Sequence, residues 1–265
     1  MSYASIKLMN VDTHFHIFDK NTSASAESRY SVNYSARIEE WLHAAHQQGV
    51  TKGVIVQPSF LGFDNSLILE TIQKNPTLFK GVGAVDPNIS SEELFELSRQ
   101  GIRGIRLNLY GSKDPFETLQ KYTSVIGLLN GLNMHLQIHH DDGLLNELLL
   151  AIPSGTNIVV DHFGRPKTDD EFEKLNTGIC KHQNKLWVKL SAQYRTPNID
   201  HQNVFQYWLN TVGQSRLLWG SDWPHTRFEG AETYRSQIDQ FQALNISPDL
   251  KHQILCANPE ALYWT

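Results

Sequence analysis

Residues 8–16 read Leu-Met-Asn-Val-Asp-Thr-His-Phe-His, and this stretch decides the fold. It is a short β-rich run that ends in polar residues, among them two histidines separated by one position. Successive side chains of a strand point to opposite faces, so Asp12, His14 and His16 are expected on one face. A polar face at the end of such a strand is typical of a parallel strand that opens into a barrel mouth. The alternative interpretation is a surface strand with incidental histidines.

Seven further β-rich runs follow and alternate with segments of helical periodicity. The eight predicted strands are Leu8–His16, Gly53–Gln57, Gly81–Val85, Gly104–Asn108, His135–His139, Asn157–Asp161, Leu186–Ser191 and Arg216–Gly220. One strand–helix unit in about every 33 residues matches the size of a right-handed βαβ unit. The sequence therefore predicts an α/β fold, a single TIM-type (β/α)₈ barrel that spans residues 1–265.

Two features refine the barrel prediction. A long polar stretch at about residues 19–35 follows the first strand and is interpreted as an extended first βα loop rather than a domain boundary. The rival architecture is a doubly wound open sheet, whose dinucleotide-binding form carries a GxGxxG turn after strand one. No such turn occurs there, which favours the barrel.

Helical spacing is clearest in three segments. The apolar stripes are Ile38, Trp41, Leu42 and Ala45; Leu119, Tyr122, Ile126 and Leu129; and Ala231, Tyr234, Ile238 and Phe241. Each stripe repeats every three or four residues, as one face of an amphipathic helix does. Ser90 or Ser91 is expected to cap a further helix that begins with Glu92 and Glu93.

Charge and cysteine usage exclude several functional classes. The 23 basic and 28 acidic side chains give a formal net charge of −5. The electrostatic field of such a protein does not attract a polyanion, so no nucleic-acid partner is expected. Cys180 and Cys256 are too few for a disulfide framework. The N-terminal residues do not resemble a secretory leader, and no apolar run reaches the roughly 18 residues of a membrane span. These features predict a soluble cytoplasmic globular protein without a membrane partner.

Polar side chains follow nearly every predicted strand, at the end where barrel enzymes bind their substrates. Beyond strand one, they are Gln57, Ser59, Arg106, Asn108, His139, His162, Arg195, Asp222 and His225. An arginine such as Arg106 either meets an anionic ligand there or forms a structural ion pair with a barrel carboxylate. Five other histidines lie in helical runs and are interpreted as incidental: His43, His46, His182, His201 and His252. The shared position of the remaining groups predicts a ligand site at one rim.

This ordered set of motifs resembles the amidohydrolase superfamily, specifically its amidohydrolase-2 branch. The segments that carry the resemblance are Asp12–His16, Asp161–Pro166, Ser221–His225 and the closing helix at Asn258–Tyr263. Within that branch the chain is most similar to the 2-pyrone-4,6-dicarboxylate and sugar-acid lactonases. Their marks here are residues 57–59, 62–65, 106–108 and 190–195. The resemblance covers nearly the whole chain and implies a barrel hydrolase.

The resemblance implies hydrolysis of a small carboxylated lactone. Asp222 is expected to act as general base on the attacking water, while His14, His16 and His162 polarise the lactone carbonyl. The residues expected to bind substrate are Gln57, Ser59, Arg106, Asn108, Lys113, His139, Arg195 and His225. Lys113 stands in a stretch where the dicarboxylate lactonases carry a further arginine, and it offers a point charge instead of a bidentate fork.

Metal use remains open between two interpretations. The resemblance favours catalysis without a metal, because the dicarboxylate lactonases are thought to work without one, and strand four lacks the bridging residue of binuclear relatives. His139, however, replaces a tyrosine-like residue of those lactonases. A single zinc held by His14, His16, His139 and Asp222 is therefore the alternative.

Three functional hypotheses follow. The first is a metal-free lactonase whose partner is a small carboxylate-bearing substrate. The second is a mononuclear zinc-dependent hydrolase or decarboxylase of the same superfamily. The third is a non-catalytic barrel that binds carboxylates. A binding barrel has no need of a base beside clustered imidazoles, so the presence of Asp222 there counts against it. None of them specifies an oligomeric state.

Overall fold

The computed structural model describes residues 10–22, 32–140, 143–171, 175, 179, 181–182 and 185–265. Eight parallel strands form one sheet in which each strand pairs with the next along the chain. The strands are β1 Asn10–Phe15, β2 Val50–Val56, β3 Phe79–Gly83, β4 Ile102–Asn108, β5 His135–His139, β6 Ile158–Val160, β7 Leu186–Leu190 and β8 Leu217–Trp219. A parallel bridge between Phe15 and Trp223 brings β1 beside the segment after β8 and nearly closes the barrel.

Helices lie between the strands along the described chain. They are α1 Ile38–His46, α2 Ser66–Lys74, α3 Ser91–Arg99, α4 Pro115–Lys121, α5 Thr123–Leu129, α6 Leu145–Ala151, α7 His201–Val212, α8 Tyr234–Ala243, α9 Pro248–His252 and α10 Asn258–Tyr263. A π-helical turn, Gln253–Ala257, joins α9 to α10. The strand–helix alternation and the strand order confirm the predicted (β/α)₈ barrel. Residues 23–31 of the predicted first βα loop lie outside the described residues.

Local sequence explains where several helices begin and end. Ser90 caps α3, since its Oγ accepts a hydrogen bond from the backbone N–H of Glu93 and the Glu93 carboxylate accepts one from the Ser90 N–H. Thr233 caps α8, so the helix begins after Ala231, which the predicted stripe had included. The stripe through Tyr122 is divided into α4 and α5, because Tyr122 leaves helical geometry and donates its hydroxyl hydrogen to the carbonyl of Val85.

Between barrel and helices lies an aromatic layer. The rings of Phe15 on β1 and Trp41 on α1 stack with centroids 4.1 Å apart, and Phe79 of β3 packs edge-on against Trp41. Gly53 makes this packing fit, because a Cβ there would lie 2.5 Å from the Phe15 ring and 2.9 Å from the Trp41 ring. The layer fixes α1 against the first three strands and thereby holds the end of β1 in place.

Strand β1 departs from strict alternation, which corrects one prediction. Its pairing with β2 is irregular between Asp12 and Phe15. The Asp12 carboxylate accepts hydrogen bonds from Trp41 of α1 and Tyr234 of α8, at 3.0 and 3.1 Å, and therefore points toward the helix layer. His14 points into the barrel. The prediction that both side chains share one face was wrong, because the register shift rotates the strand between them.

Within the described ranges, every helix falls short of the length and apolar character that a membrane-spanning helix requires.

Candidate active site

A cavity of about 320 Å³ opens at the carboxyl end of the barrel strands. The structure brings eight of the sequence-predicted site residues to its wall: His16, Ser59, Arg106, Asn108, His139, His162, Arg195 and Asp222. Two further arginines, Arg165 and Arg227, also line it. A concave site lined by several arginines at this end of a barrel is suited to an anionic small molecule.

The remaining predicted residues lie elsewhere. His14 is fully buried beneath the cavity, and the side chain of Gln57 is buried and donates hydrogen bonds to the backbone carbonyls of Gly62 and Asp64. Gln57 thus holds the loop after β2. His225 is buried behind the wall, whereas Lys113 is exposed and does not line the cavity.

Asp222 occupies the centre of the histidine cluster. Its Oδ1 lies 3.6 Å from His14 Nε2, 3.4 Å from His16 Nε2 and 3.9 Å from His162 Nε2. The residue is 1% exposed. The three predicted imidazoles and the predicted base therefore converge on one point at the bottom of the mouth.

The second carboxylate oxygen of Asp222 is held by strong donors. The Tyr194 hydroxyl donates to Oδ2 at 2.6 Å and Arg195 Nε donates to it at 2.7 Å. Burial alone raises the pKa of Asp222, but Arg195 and the neighbouring imidazoles outweigh burial and hold the pKa well below its usual range. The carboxylate is therefore ionised at neutral pH, with Oδ2 fixed and Oδ1 turned to the histidines.

Hydrogen bonds behind two of the imidazoles set their orientation. His16 Nδ1 lies 2.7 Å from the carbonyl oxygen of Val56, which only accepts, so Nδ1 carries a proton and Nε2 is the nitrogen turned toward Asp222. His162 Nδ1 lies 2.8 Å from the Ser191 hydroxyl, which can either donate or accept. Burial lowers the pKa of His162 to about 3, so this ring is neutral at neutral pH.

His14 rests on a buried charge network that continues down the barrel. Its Nδ1 lies 3.2 Å from Oδ1 of Asp161 and 3.4 Å from Nζ of Lys189. Lys189 is completely buried and donates to Gln137, which in turn donates to Asp161. Burial and Lys189 keep the pKa of His14 well below its usual range, against the opposing effect of Asp161.

Arg106 forms an ion pair with a barrel carboxylate, which is one of the two alternatives that the sequence left open, and it also faces the cavity. Its Nε donates to Asp161 Oδ2 at 3.1 Å inside the barrel, and its side chain lines the mouth. Burial alone raises the pKa of Asp161, but the adjoining His14 ring, Arg106 and Lys189 hold it well below its usual range. The ion pair thus fixes one guanidinium at the boundary between core and cavity.

His139 lies between two guanidinium groups. Arg106 Nη2 is 3.0 Å from its Nδ1, and Arg165 Nη1 is 3.0 Å from its Nε2. The Tyr110 ring stacks on the imidazole with centroids 5.8 Å apart. Burial and the two arginines depress the pKa of His139 well below its usual range. The ring is accordingly neutral, and its nitrogens face arginines rather than the Asp222 cluster.

Backbone strain is concentrated around the cavity. Residues with left-handed φ, outside glycine, include His162, Phe163, Arg165, Ala192, Asp222, His225 and Arg227. Asp222 itself has φ 57. Such conformations cost free energy and cluster where surrounding structure holds functional groups in place. Their location at the ends of β6, β7 and β8 supports this mouth as the functional site.

The ends of β1 and β8 are tied together by the backbone. The N–H of Asp222 donates to the carbonyl of His14, and the N–H of His16 donates to the carbonyl of Trp223, both at 2.8 Å. The Asp12 carboxylate accepts from the backbone N–H of Ser221 at 2.9 Å and from its hydroxyl at 2.6 Å. These bonds hold the proposed base in register with the first two histidines.

The donor set of this cluster fits a single metal ion. Ligand atoms of His14, His16 and Asp222 all lie within 4.8 Å of one another and are buried. Two imidazoles and a carboxylate are ligands that zinc accepts. A second such group combines His14, Asp161 and His162. Among the described residues, His139 belongs to neither group. The structure therefore does not place it with His14, His16 and Asp222, as the predicted four-ligand zinc site requires.

Four residues that contact the site residues were not among those predicted from the sequence: Asp161, Arg165, Lys189 and Tyr194. Lys189 lies on β7 and Asp161 directly follows β6, and both continue the inward alternation of their strands, so the period of two contained a signal for them. Arg165 and Tyr194 lie in short turns after β6 and β7, and strand periodicity does not extend into turns. Both are within motifs that the sequence analysis quoted.

Comparison with known proteins agrees with this geometry. The Amidohydrolase family model matches residues 11–264. Two curated relatives are 4-sulfomuconolactone hydrolase of Rhizobium radiobacter, 28% identical over 95% of this chain and 89% of that protein, and 2-pyrone-4,6-dicarboxylate hydrolase of Comamonas testosteroni, 27% identical over 96% and 90%. The predicted resemblance is confirmed by these matches.

A solved structure extends the comparison to the fold. The chain is similar to a candidate 2-pyrone-4,6-dicarboxylic acid hydrolase of Acinetobacter baumannii, crystallised with citric acid, with 30% identity and a TM-score of 0.89. The match covers 97% of this chain and 99% of the other. With its barrel, its histidine–aspartate cluster and a family match over nearly its full length, the chain belongs to the amidohydrolase family and is a hydrolytic enzyme.

Proposed function

We propose that this enzyme opens a small carboxylated lactone by attack of a water molecule that Asp222 activates. The observation that carries the proposal is the position of Asp222 Oδ1, which faces three imidazole nitrogens at 3.4 to 3.9 Å at the base of an arginine-lined cavity. Such a carboxylate can take a proton from water, and the arginines can bind substrate carboxylates.

Asp222 and His162 have separate roles in the proposed reaction. Asp222 Oδ1 accepts a proton as water oxygen bonds to the lactone carbonyl carbon, and the carbonyl oxygen becomes an oxyanion. The ring C–O bond then breaks, and its oxygen takes the proton back from Asp222. We assign the Ser191 hydroxyl as donor to His162 Nδ1, so that His162 presents an N–H at Nε2 toward the mouth and stabilises the oxyanion.

His16 and His14 complete this arrangement. In the neutral ring of His16, whose Nδ1–H donates to Val56, the Nε2 lone pair accepts a hydrogen bond from the attacking water. The sequence had assigned His16 to the carbonyl, and the bond to Val56 favours this water-orienting role. Lys189 lies within 3.4 Å of His14 Nδ1. With Lys189 assigned as the donor to Nδ1, His14 presents an N–H at Nε2, and this N–H adds to oxyanion stabilisation.

A mononuclear zinc-dependent hydrolase is the second candidate, and the cluster of His14, His16 and Asp222 is the observation that favours it. These three residues would hold the ion. A bound zinc would supply Lewis acidity and lower the pKa of a coordinated water. The first candidate rests on the side chains alone.

The substrate class is the finer part of the proposal. Relatives named for a sulfonated muconolactone and for a pyrone dicarboxylate share the lactone ring and an anionic substituent. Four arginines line the cavity of this chain: Arg106, Arg165, Arg195 and Arg227. Guanidinium groups bind carboxylates and sulfonates through paired N–H donors, which supports an anionic lactone over a neutral one.

The test is turnover of a lactone panel by protein purified without added metal, with metal content measured on the same sample. The panel pairs pyrone dicarboxylate, sulfomuconolactone and sugar-acid lactones with neutral lactones of the same ring size. We expect turnover of anionic members, at a rate independent of zinc content. Turnover that rises in proportion to bound zinc supports the second candidate. A folded protein that binds carboxylates but hydrolyses no lactone overturns both and indicates a binding barrel.

A further inference from the structure

The two candidate functions make opposite demands on the ring of His14. Stabilisation of an oxyanion requires a hydrogen on Nε2, the nitrogen that faces Asp222 Oδ1 at 3.6 Å. Binding of a zinc ion requires a lone pair on that same nitrogen. A neutral imidazole carries one hydrogen and one lone pair, so it cannot meet both demands. The groups behind Nδ1 therefore decide which chemistry His14 supports.

Two groups of opposite character lie behind Nδ1 of His14. Oδ1 of Asp161 is 3.2 Å away and only accepts hydrogen bonds, whereas Nζ of Lys189 is 3.4 Å away and donates them. The contact with the lysine has the geometry of a hydrogen bond. Asp161 Oδ1, by contrast, is buried and makes no hydrogen bond with any of the described residues. The bond from Lys189 thus occupies the lone pair of Nδ1 and leaves the hydrogen on Nε2.

The barrel interior fixes Lys189 in this position. The side chain is completely buried on β7, and its Nζ donates to Gln137 Oε1 at 2.8 Å. Gln137 is itself oriented, because its amide nitrogen donates to Asp161 Oδ2 at 3.2 Å. A lysine nitrogen carries hydrogens to spare for two acceptors, whether it is charged or neutral. It can therefore donate to Gln137 and to His14 at the same time in either form.

The other two members of the cluster, His16 and Asp222, already offer lone pairs to a cation. His16 carries a hydrogen on Nδ1, which donates to Val56, so the neutral ring holds its lone pair on Nε2. Asp222 Oδ1 lies 3.4 Å from that nitrogen. Ligand atoms at the corners of a tetrahedral zinc site lie roughly 3.3 Å apart, which is close to this spacing. The hydrogen on His14 is therefore the feature of the cluster that opposes zinc.

We propose that Lys189 is a positioning residue, which directs the hydrogen of His14 to Nε2 and thereby weakens the binding of zinc beside Asp222. Its Nζ also lies 3.9 Å from Asp161 Oδ1, so the amine occupies the space between two members of the second candidate metal group, His14 and Asp161. The inference rests on the proposed function in one respect, that His14 acts as an N–H donor. It assigns to one buried lysine the choice between a donor and a metal ligand.

Replacement of Lys189 with methionine tests this role, because methionine is unbranched and has no N–H. In the variant, the hydrogen of His14 can move to Nδ1 and face Asp161 Oδ1, an arrangement that is common behind zinc-binding histidines. Zinc dissociation constants are measured on metal-stripped protein at neutral pH, by competition with a chromophoric chelator. We expect Lys189→Met to bind zinc about 10- to 100-fold more tightly than wild type, the range over which partners of ligating histidines change metal affinity.

Two further variants separate the proposed cause from a general loss of a lysine. Lys74→Met removes an exposed lysine of α2 that pairs with Glu70, and its zinc affinity should equal that of wild type. Asp161→Asn in the Lys189→Met background removes the carboxylate behind Nδ1 and should reverse most of the gain. Circular dichroism verifies that each variant is folded. Equal zinc affinity in wild type and folded Lys189→Met overturns the proposal.

A nitrogen-15 NMR spectrum of histidine-labelled wild type gives a readout that needs no variant of Lys189. We expect an N–H at Nε2 of His14, assigned by its loss in His14→Gln. A hydrogen at Nδ1 overturns the proposal, whether or not Lys189→Met folds. Neither measurement uses a lactone. Lactone hydrolysis without any effect of Lys189 on zinc affinity contradicts only this inference, and tighter zinc binding by the variant without lactone hydrolysis by wild type contradicts only the proposed function.

Discussion

Arg195 Nε donates a hydrogen bond to Oδ2 of Asp222 at 2.7 Å, so this arginine is a partner of the proposed base as well as part of the cavity wall. The sequence alone suggested that Arg195 binds a substrate carboxylate. The ion pair adds a second role, because a guanidinium at this distance stabilises the ionised form of Asp222. Changes at either residue are therefore expected to alter the chemical step.

Replacing Asp222 with asparagine should lower kcat by about 10²- to 10⁴-fold, the usual contribution of a positioned general base. The amide is nearly isosteric but cannot take a proton from water. Steady-state kinetics on an active lactone measures the loss, with Asp239→Asn on the exposed face of α8 as the matched control. If Asp222 only orients the histidines, the variant should keep most of its activity, and a histidine would then be the base.

Replacing Arg195 with methionine should move the acidic limb of the kcat/KM profile to higher pH. Burial raises the pKa of Asp222 and Arg195 is the leading influence that lowers it, so removal of the guanidinium raises the pKa. The wild-type profile should stay flat until the pH falls below the ordinary aspartate range. Tyr194→Phe removes a hydrogen bond to the same oxygen without removing a charge and should shift the limb less. Superimposable limbs in wild type and Arg195→Met would contradict this account.

The free energy of unfolding should decrease as pH falls below about 6.5, the ordinary histidine pKa. Burial lowers the pKa of His135 and His162 to about 3 and that of His225 to about 4. Between those values and 6.5 the unfolded chain binds protons that the native protein does not. Each such histidine contributes a slope of up to about 1.4 kcal/mol per pH unit.

Denaturant titrations at pH 7, 6 and 5 measure that slope. His162→Asn removes one of the buried imidazoles and should give a shallower dependence. The result at odds with this reading would be equal stability at all three pH values for wild type. The stabilisation from ionised Asp222 is lost only at lower pH, as the pH falls through its depressed native pKa.

Adding a methyl group at Gly220 should damage both stability and catalysis. A Cβ there would lie 2.5 Å from the Cβ of His14 and 2.9 Å from its backbone nitrogen, so the first histidine must move. Overpacking of this kind costs about 1–3 kcal/mol. Gly230→Ala is the control, because nothing lies within 4 Å of a Cβ at that position. Thermal unfolding and kcat of both variants check the prediction, which fails if Gly220→Ala matches Gly230→Ala.

The periodicity of apolar residues and the polar residues at the strand ends allowed most of the correct predictions of the fold and of the site. The eight β-rich runs could be recognised because parallel strands buried on both faces are short, apolar and β-branched. Asp222 and His162 could be placed at one mouth because all strand ends of a barrel meet there. Both predictions need only the periodicity of each strand or helix and the order of the strand–helix units along the chain.

The remaining features depend on contacts between distant segments. A register shift between neighbouring strands turned Asp12 outward, and no property of β1 alone encodes its pairing with β2. Lys113 remained exposed because the direction of a loop residue is set by packing rather than by strand period. The pairing of His139 with Arg165 joins the end of β5 to the turn after β6, and the spacing of neither motif specifies that distance.

The bonds between β1 and the segment after β8 have a consequence for protein synthesis. Asp12 and Ser221 are separated by 209 positions in the chain, so a ribosome has released most of the polypeptide before the two can meet. The proposed base reaches the first histidines only when the final quarter of the chain docks on the earliest strand. A nascent or C-terminally truncated polypeptide is therefore expected to be catalytically silent, even where its first strands and helices have already formed.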